Sequence, residues 1–108
     1  MGELDGSAEN IEVRDKPSEL RYELLLDNQL VGEILYRLAP DAVVLLHTEV
    51  LPSLEGKGLG ARLVAGALDD IRARGLHVVA LCPFVRSYIR RHHPDYADLV
   101  VRGVEVPN

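Results

Sequence analysis

Apolar and polar residues alternate along the first half of the chain in the manner of β-strands. Four such runs are separated by short segments that contain Pro, Asp and Asn. From residue 59 onward, apolar residues recur at intervals of three and four, which predicts an amphipathic helix. The predicted order is a four-stranded meander followed by a helix, a strand and a helix. The predicted strands are 11–15, 20–26, 30–38, 42–51 and 76–82; the first helix lies between the glycines at 58 and 75, and the second spans 84–92.

The elements differ in how much apolar surface they carry. One stripe of the first helix is apolar throughout, and Gly75 is a typical stop for it. The strands 42–51 and 76–82 are apolar enough to lie inside a sheet, whereas 30–38 is predicted to be an edge strand that could support a dimer. Segment 96–101 has no clear type. The predicted buried stripe consists of Leu59, Leu63, Val64, Ala67, Leu68 and Ile71.

Length and composition indicate one ordinary globular domain. Of the 108 residues, 47% are hydrophobic and 27% are charged. We predict a loose polar tail at 1–9 and a single domain at 10–108. The net charge of −5 argues against nucleic acid and anionic membranes as partners. A single cysteine, Cys82, excludes an internal disulfide, and the N-terminus shows no signal peptide, so we expect a cytoplasmic protein.

Residues 55–60 read EGKGLG, with three glycines at alternate positions before the helix. Glycines at a helix N-terminus let phosphate oxygens approach free backbone N–H groups. A plain flexible turn is the alternative. The spacing Gly56-x-Gly58-x-x-Ala61 also matches a loose dinucleotide fingerprint, but that motif belongs at a first strand-to-helix turn, with a carboxylate about 20 residues later. Here a meander precedes the loop, and the next strand ends without a carboxylate.

The loop resembles motif A of the GNAT superfamily, the Gcn5-related N-acetyltransferases, whose pattern is [QR]-x-x-G-x-[GA]. Gly58 and Gly60 match this pattern, and Glu55 departs from it, because Gln or Arg is usual there. HTEV at 47–50, CPFV at 82–85 and YIRRHHPDYADLV at 88–100 extend the resemblance to a group of small stand-alone GNAT-like proteins. The resemblance covers residues 20–100.

This resemblance implies an α/β fold with a mixed sheet, namely a minimal GNAT fold. The usual first two helices are missing because the gap between residues 15 and 20 is too short for them. Acetyl-CoA would lie as cosubstrate between strands 42–51 and 76–82, and no metal is implied. The pantetheine arm would meet the first of these strands, and the pyrophosphate would meet the loop. The implied cofactor contacts are Glu49, Val50, Leu51, Gly56, Lys57, Gly58, Leu59, Gly60, Ala61, Arg62 and Phe84.

Three further side chains, and Glu49 a second time, are candidates for chemical roles at this site. Tyr88 would protonate the departing thiolate, although a core aromatic is an equal alternative. His47 and Glu49 share one face of their strand and could deprotonate an amine, although a structural histidine that is hydrogen-bonded to a neighbour is the alternative. Cys82 would lie near the thioester, close to His47 or the next helix, and would either line the site or accept the acetyl group.

Basic residues concentrate at 86–93. Arg86, Arg90 and Arg91 form a patch that either reaches the adenosine 3′-phosphate or is simply solvated. His92 and His93 point in different directions on a helix, so metal binding is not expected there.

The predicted function is direct acetyl transfer to an amine such as a protein lysine or a polyamine. An open acceptor side suits such a substrate. The same residues are consistent with a non-catalytic acyl-CoA-binding module or with a protein-interaction domain. We expect a monomer or a weak homodimer.

Overall fold

A computed structural model of the protein describes residues 10–101. The predicted tail at 1–9 and residues 102–108 lie outside this range. The observed order of elements confirms the predicted one. The strands are β1 (Ile11–Lys16), β2 (Arg21–Leu26), β3 (Gln29–Ala39), β4 (Ala42–Val50) and β5 (His77–Ala80); the helices are α1 (Leu59–Ala73) and α2 (Pro83–Arg91), with 3₁₀ turns at Pro17–Glu19 and Pro52–Leu54.

The five strands form one mixed sheet in the order β1-β2-β3-β4-β5. The first four strands are antiparallel, whereas β4 and β5 are parallel. Asp27 and Asn28 both adopt positive φ, at 50° and 69°, which suits the two-residue turn between β2 and β3. Only a 3₁₀ turn joins β1 to β2, so this connection contains neither of the two helices of longer GNAT domains.

The prediction that 30–38 is an edge strand is wrong. This strand is part of β3, which is hydrogen-bonded to β2 on one side and to β4 on the other. Its main-chain groups are therefore used within the sheet, and it offers no free edge to a second copy. Within residues 10–101, the edges are β1 and β5, and β5 makes one further parallel bridge between Val78 and Val100.

Helix α1 covers one face of the sheet and supplies much of the core. Its stripe is buried as predicted, because a straight helix turns the same residues toward the sheet at every turn. Val43, Leu45 and Val78 meet this stripe, whereas Ala42, Val44 and Val79 form a smaller cluster on the opposite face. The buried residues of α1 are Leu59, Leu63, Val64, Ala67, Leu68 and Ile71.

Polar side chains fasten the C-terminal end of α1 to the sheet. The Tyr22 hydroxyl donates to Asp70 and the Tyr36 hydroxyl donates to Asp15, both at 2.7 Å. Arg74 reaches both carboxylates, at 3.0 Å from Asp15 and 2.9 Å from Asp70. Burial, together with the hydrogen bond to a carboxylate, raises the pKa of each tyrosine well above its ordinary value. Both phenols therefore remain protonated donors, and these contacts join the C-terminal end of α1 to the sheet, away from the glycine loop.

Candidate functional site

The parallel strands β4 and β5 separate halfway along β4. Ala42–Leu45 pairs with His77–Ala80, and the pairing ends there. The N–H groups of Leu81 and Cys82 both donate to the carbonyl of Leu45, each at 3.0 Å. Beyond this point β4 continues to Val50 and is paired with β3 alone. A gap with free main-chain groups on the β4 side therefore opens where the sequence predicted one.

A β-bulge at the same point changes which side chains of β4 face this gap. Tyr36 pairs with Leu45 but Leu35 pairs with His47, so one extra residue lies in β4. Since the side-chain period of a strand is two, an extra residue moves the following side chains to the other face. The side chains of Thr48 and Val50 therefore point to the same face of the sheet as Leu45, which is the face that α1 covers.

The free main-chain groups of β4 belong to Thr48 and Val50. The N–H of Leu51 donates to the carbonyl of Val31 at 2.9 Å. Main-chain groups of successive residues point to opposite edges of a strand, so those of Leu51 and of Glu49, two residues earlier, are both directed at β3. Val50 and Thr48 therefore face the gap, whereas the N–H of Leu51 is engaged with β3. The implied contacts of the cofactor with residues 49–51 stay a prediction.

The glycine loop places free N–H groups beside the gap. Gly56 and Gly58 have φ of 86° and 77°, and a Cβ on either would meet no atom within 4 Å. Gly58 is the N-cap of α1 and makes no side-chain hydrogen bond there. The first intrahelical hydrogen bond is donated by the N–H of Arg62 to the carbonyl oxygen of Gly58, at 3.2 Å. The amides of 59–61 are therefore without an intrahelical partner. This geometry fits a phosphate group, because open space and amide donors coincide.

A cavity of about 410 Å³ connects the loop, the gap and α2. Gly60 lies against Phe84, and a Cβ there would come within 2.9 Å of the Phe84 Cζ, so this glycine serves packing. The predicted contacts Lys57 and Arg62 are exposed and do not line the cavity, whereas Arg91 does. The cavity is lined by Thr48, Val50, Leu54, Glu55, Gly56, Gly58, Leu59, Gly60, Ala61, Phe84 and Arg91.

His47 and Glu49 lie together on the other face of β4. The His47 Nε2 is 3.1 Å from the Glu49 Oε2, and both side chains are exposed. A smaller cavity of about 220 Å³ on this side is lined by residues 30–33 and 49–52. Strand β4 therefore separates two cavities, with the glycine loop on one side and the predicted general base on the other.

Three carboxylates stand in a row across the sheet beside this smaller cavity. Glu23 is opposite Glu33 on neighbouring strands, and Glu33 is opposite Glu49. Arg21 binds the first two, at 2.7 Å from Glu23 and 3.1 Å from Glu33. Arg14 lies opposite Glu23 at the other end of the row. Both arginines therefore stand toward β1 and β2, and the carboxylates of Glu33 and Glu49 stand side by side toward β4.

Cys82 is buried at the N-terminus of α2, where it occupies the N-cap position. Its Sγ is 3.3 Å from the Oγ1 of Thr48. Of the two alternative neighbours expected for Cys82, the structure places the N-terminus of α2 beside it, whereas His47 points to the opposite face because of the bulge. Thr48 lines the larger cavity and Cys82 lies directly behind it.

Tyr88 lies on the core side of α2. Its ring stacks on His92 with centroids 4.1 Å apart and is tilted against Tyr96 at 5.9 Å. Burial and a hydrogen bond to Tyr88 raise the pKa of Tyr96 to about 12. Tyr88 is not among the residues that line the larger cavity. Its role as an acid stays a prediction.

The described residues hold neither a metal cluster nor a membrane span. Within 10–101, no three His, Cys, Asp or Glu side chains lie together in a way that could hold a metal ion. In the same part of the chain, no helix is long and apolar enough to cross a membrane.

Comparisons with known proteins agree with this geometry. A family model described as GCN5-related N-acetyl-transferase matches residues 21–99. The fold is similar to the NMR structure of a GCN5-like candidate N-acetyltransferase from Staphylococcus aureus, at 26% identity and a TM-score of 0.64, covering 92% of this chain and 95% of that one. No curated protein matches the sequence.

Two crystal structures of longer proteins are also similar. One is a GNAT family acetyltransferase from Brucella melitensis in complex with acetyl-CoA, at 26% identity and a TM-score of 0.54, covering 69% of this chain. The other is the ribosomal-protein-S18-alanine N-acetyltransferase from Escherichia coli, at 16% identity and a TM-score of 0.58, covering 71% of this chain; this likeness concerns the fold alone. This chain spans 53% of the length of each.

Proposed function

The chain belongs to the GCN5-related N-acetyltransferase family, and from this premise we propose that it transfers the acetyl group of acetyl-CoA directly to a cationic amine. The acceptor is a protein lysine or a polyamine. Acetyl-CoA is bound in the larger cavity, and the acceptor approaches from the face of β4 that carries His47 and Glu49.

One observation carries this proposal: the gap beside β4 is continuous with the N-terminus of α1. The main chain of Thr48 and Val50 offers hydrogen bonds to an extended amide-containing arm, and the amides of 59–61 offer donors to phosphate. The Brucella melitensis relative, which was solved with acetyl-CoA, supports the assignment of this ligand.

The carboxylates beside β4 support a cationic acceptor. Glu33 and Glu49 lie side by side, and Arg21 binds only Glu33 of the two, so a protonated amine is attracted to Glu49. A flexible lysine side chain or a polyamine can reach β4 directly, because no helices between β1 and β2 wall off the sheet.

In the proposed reaction, Glu49, with His47 beside it, receives a proton from the amine. The amine nitrogen then attacks the thioester carbonyl carbon, a C–N bond forms and the C–S bond breaks. The nitrogen of the new amide releases its second proton to solvent. The departing thiolate takes a proton from water, or from Tyr88, which solvent then reprotonates. Cys82 and Thr48 line the region of the thioester without forming a bond to the acetyl group.

Calorimetric titration with acetyl-CoA, with NAD as the control ligand, tests the binding step. We expect saturable binding in the micromolar range that is common for enzyme substrates, and no binding of NAD. The same preparation is then supplied with spermidine or a lysine-containing peptide, and release of the coenzyme A thiol is followed. Binding without turnover on either amine would leave an acyl-CoA-binding module, and absence of binding would remove the proposal.

Replacing Cys82 with alanine distinguishes direct transfer from an acyl-enzyme. We expect turnover of Cys82→Ala to stay within about threefold of wild type, because removing a true nucleophile costs several orders of magnitude. The measurement is the initial rate of thiol release, with the melting temperature as the folding control. Loss of turnover in a folded variant, together with an acetyl adduct in the intact mass of the wild type, would contradict direct transfer.

A further inference from the structure

Helix α2 turns three different faces to its surroundings. Val85 and Tyr88 are buried in the core and set the rotation of the helix. Because residues three, four and seven apart share a face, Phe84 and Arg91 lie together on the side of the glycine loop. Both of them line the larger cavity.

The basic patch inferred from the sequence is therefore divided. Arg86, Arg90 and His93 line a different groove, together with Val79, Val100 and Val101. Only Arg91 lines the larger cavity, and among the residues that line it in the described chain, no other is cationic. The cation that lines the larger cavity thus comes from α2, about thirty residues beyond the glycine loop in sequence.

The guanidinium of Arg91 is held in position but is not neutralised. Its NH1 donates to the Oγ of Ser87, one turn earlier on α2, at 2.9 Å. Within residues 10–101, no carboxylate forms an ion pair with Arg91, and this includes Glu55, which lines the same cavity. A positioned guanidinium with free donors matches the geometry of phosphate oxygens.

We propose that Arg91 is the residue that binds the diphosphate of acetyl-CoA, opposite the amides of 59–61. This inference rests on the proposed function and adds a ligand that motif A does not contain. The helix N-terminus contacts the diphosphate from one wall of the cavity and Arg91 contacts it from the other. The positive charge of Arg91 also offsets the repulsion between the diphosphate and the carboxylate of Glu55.

The test compares the dissociation constants of acetyl-CoA for wild type, Arg91→Ala, Arg91→Lys and Arg90→Ala. We expect Arg91→Ala to raise the dissociation constant roughly tenfold to a hundredfold, as for loss of hydrogen bonds to a charged group. The dissociation constant of Arg91→Lys is expected to lie between those of wild type and Arg91→Ala, because lysine keeps the charge but lacks the planar guanidinium. Arg90→Ala makes the same change of charge on the other face of α2 and is expected to bind like wild type.

Truncated ligands identify the group that Arg91 contacts. The loss of affinity in Arg91→Ala, relative to wild type, is expected to persist with 3′-dephospho-CoA. It is expected to vanish with S-acetylpantetheine, which has no diphosphate and whose weak binding is measured by NMR titration. A loss that vanishes with 3′-dephospho-CoA would assign Arg91 to the 3′-phosphate and overturn the inference. Equal affinity of Arg91→Ala and wild type for acetyl-CoA would also overturn it. A wild type that binds no acetyl-CoA would instead refute the proposed function itself.

Discussion

We expect Gly58→Val to abolish the binding of acetyl-CoA, with a rise of more than about a hundredfold in the dissociation constant. Gly58 has a φ of 77°, and its Cα faces open space at the N-terminus of α1. A β-branched side chain strains the backbone in this conformation and occupies the space where we place the diphosphate. Calorimetric titration of Gly58→Val and of wild type with acetyl-CoA measures the two dissociation constants.

Gly75→Val is the matched control for this variant. Gly75 follows the other end of the same helix and has a φ of 73°, and a Cβ on it would likewise meet no atom within 4 Å. Both substitutions should lower the free energy of unfolding by about 1–2 kcal/mol, the cost of a left-handed conformation for an L-residue. Only Gly58→Val should lose binding. Equal affinity of the two variants would show that the loop does not contact the ligand.

We expect Gly66→Ala to lower the free energy of unfolding by about 1–3 kcal/mol, which is the opposite of the usual effect of this substitution in a helix. Gly66 lies in the middle of α1, and a Cβ there would come within 2.7 Å of both the Cβ and the Cγ2 of Val13 on β1. Helix propensity alone favours alanine, but the collision forces α1 away from β1. Urea denaturation of both proteins measures the difference.

A double-mutant cycle with Val13→Ala separates the collision from other effects. Two of the three close atoms are the Val13 methyl groups, so the cost of Gly66→Ala should be smaller in the Val13→Ala background. Acetyl-CoA affinity should change little, because this contact lies outside the larger cavity. If Gly66→Ala stabilises the protein, α1 does not approach β1 as closely as described.

Features that depend on neighbouring residues could be predicted from the sequence. The buried stripe of α1 follows from helical periodicity, and the turn at Asp27 and Asn28 follows from residues that tolerate positive φ. The glycine loop, the strand order along the chain and the family resemblance are likewise local patterns. Each of them is read from short stretches of sequence taken in order along the chain, so no tertiary contact is needed to find it.

Features that depend on how segments meet could not be predicted. The pattern of apolar and polar residues in segment 30–38 fits an edge strand and an internal strand equally well. Only the pairing with β2 and β4 makes this strand internal. Similarly, the burial of Val85 and Tyr88 fixes the rotation of α2, and that rotation brings Arg91 to the glycine loop.

The bulge in β4 is the clearest case. Strict alternation would place His47 and Glu49 on the face of Leu45, beside Cys82. One extra residue opposite Leu35 and Tyr36 reverses the alternation, so Thr48 contacts Cys82 instead. The sequence by itself determined that reactive side chains follow Leu45 on this strand. The pairing of β3 with β4 decided which of them faces which cavity, because a bulge is a property of two strands together.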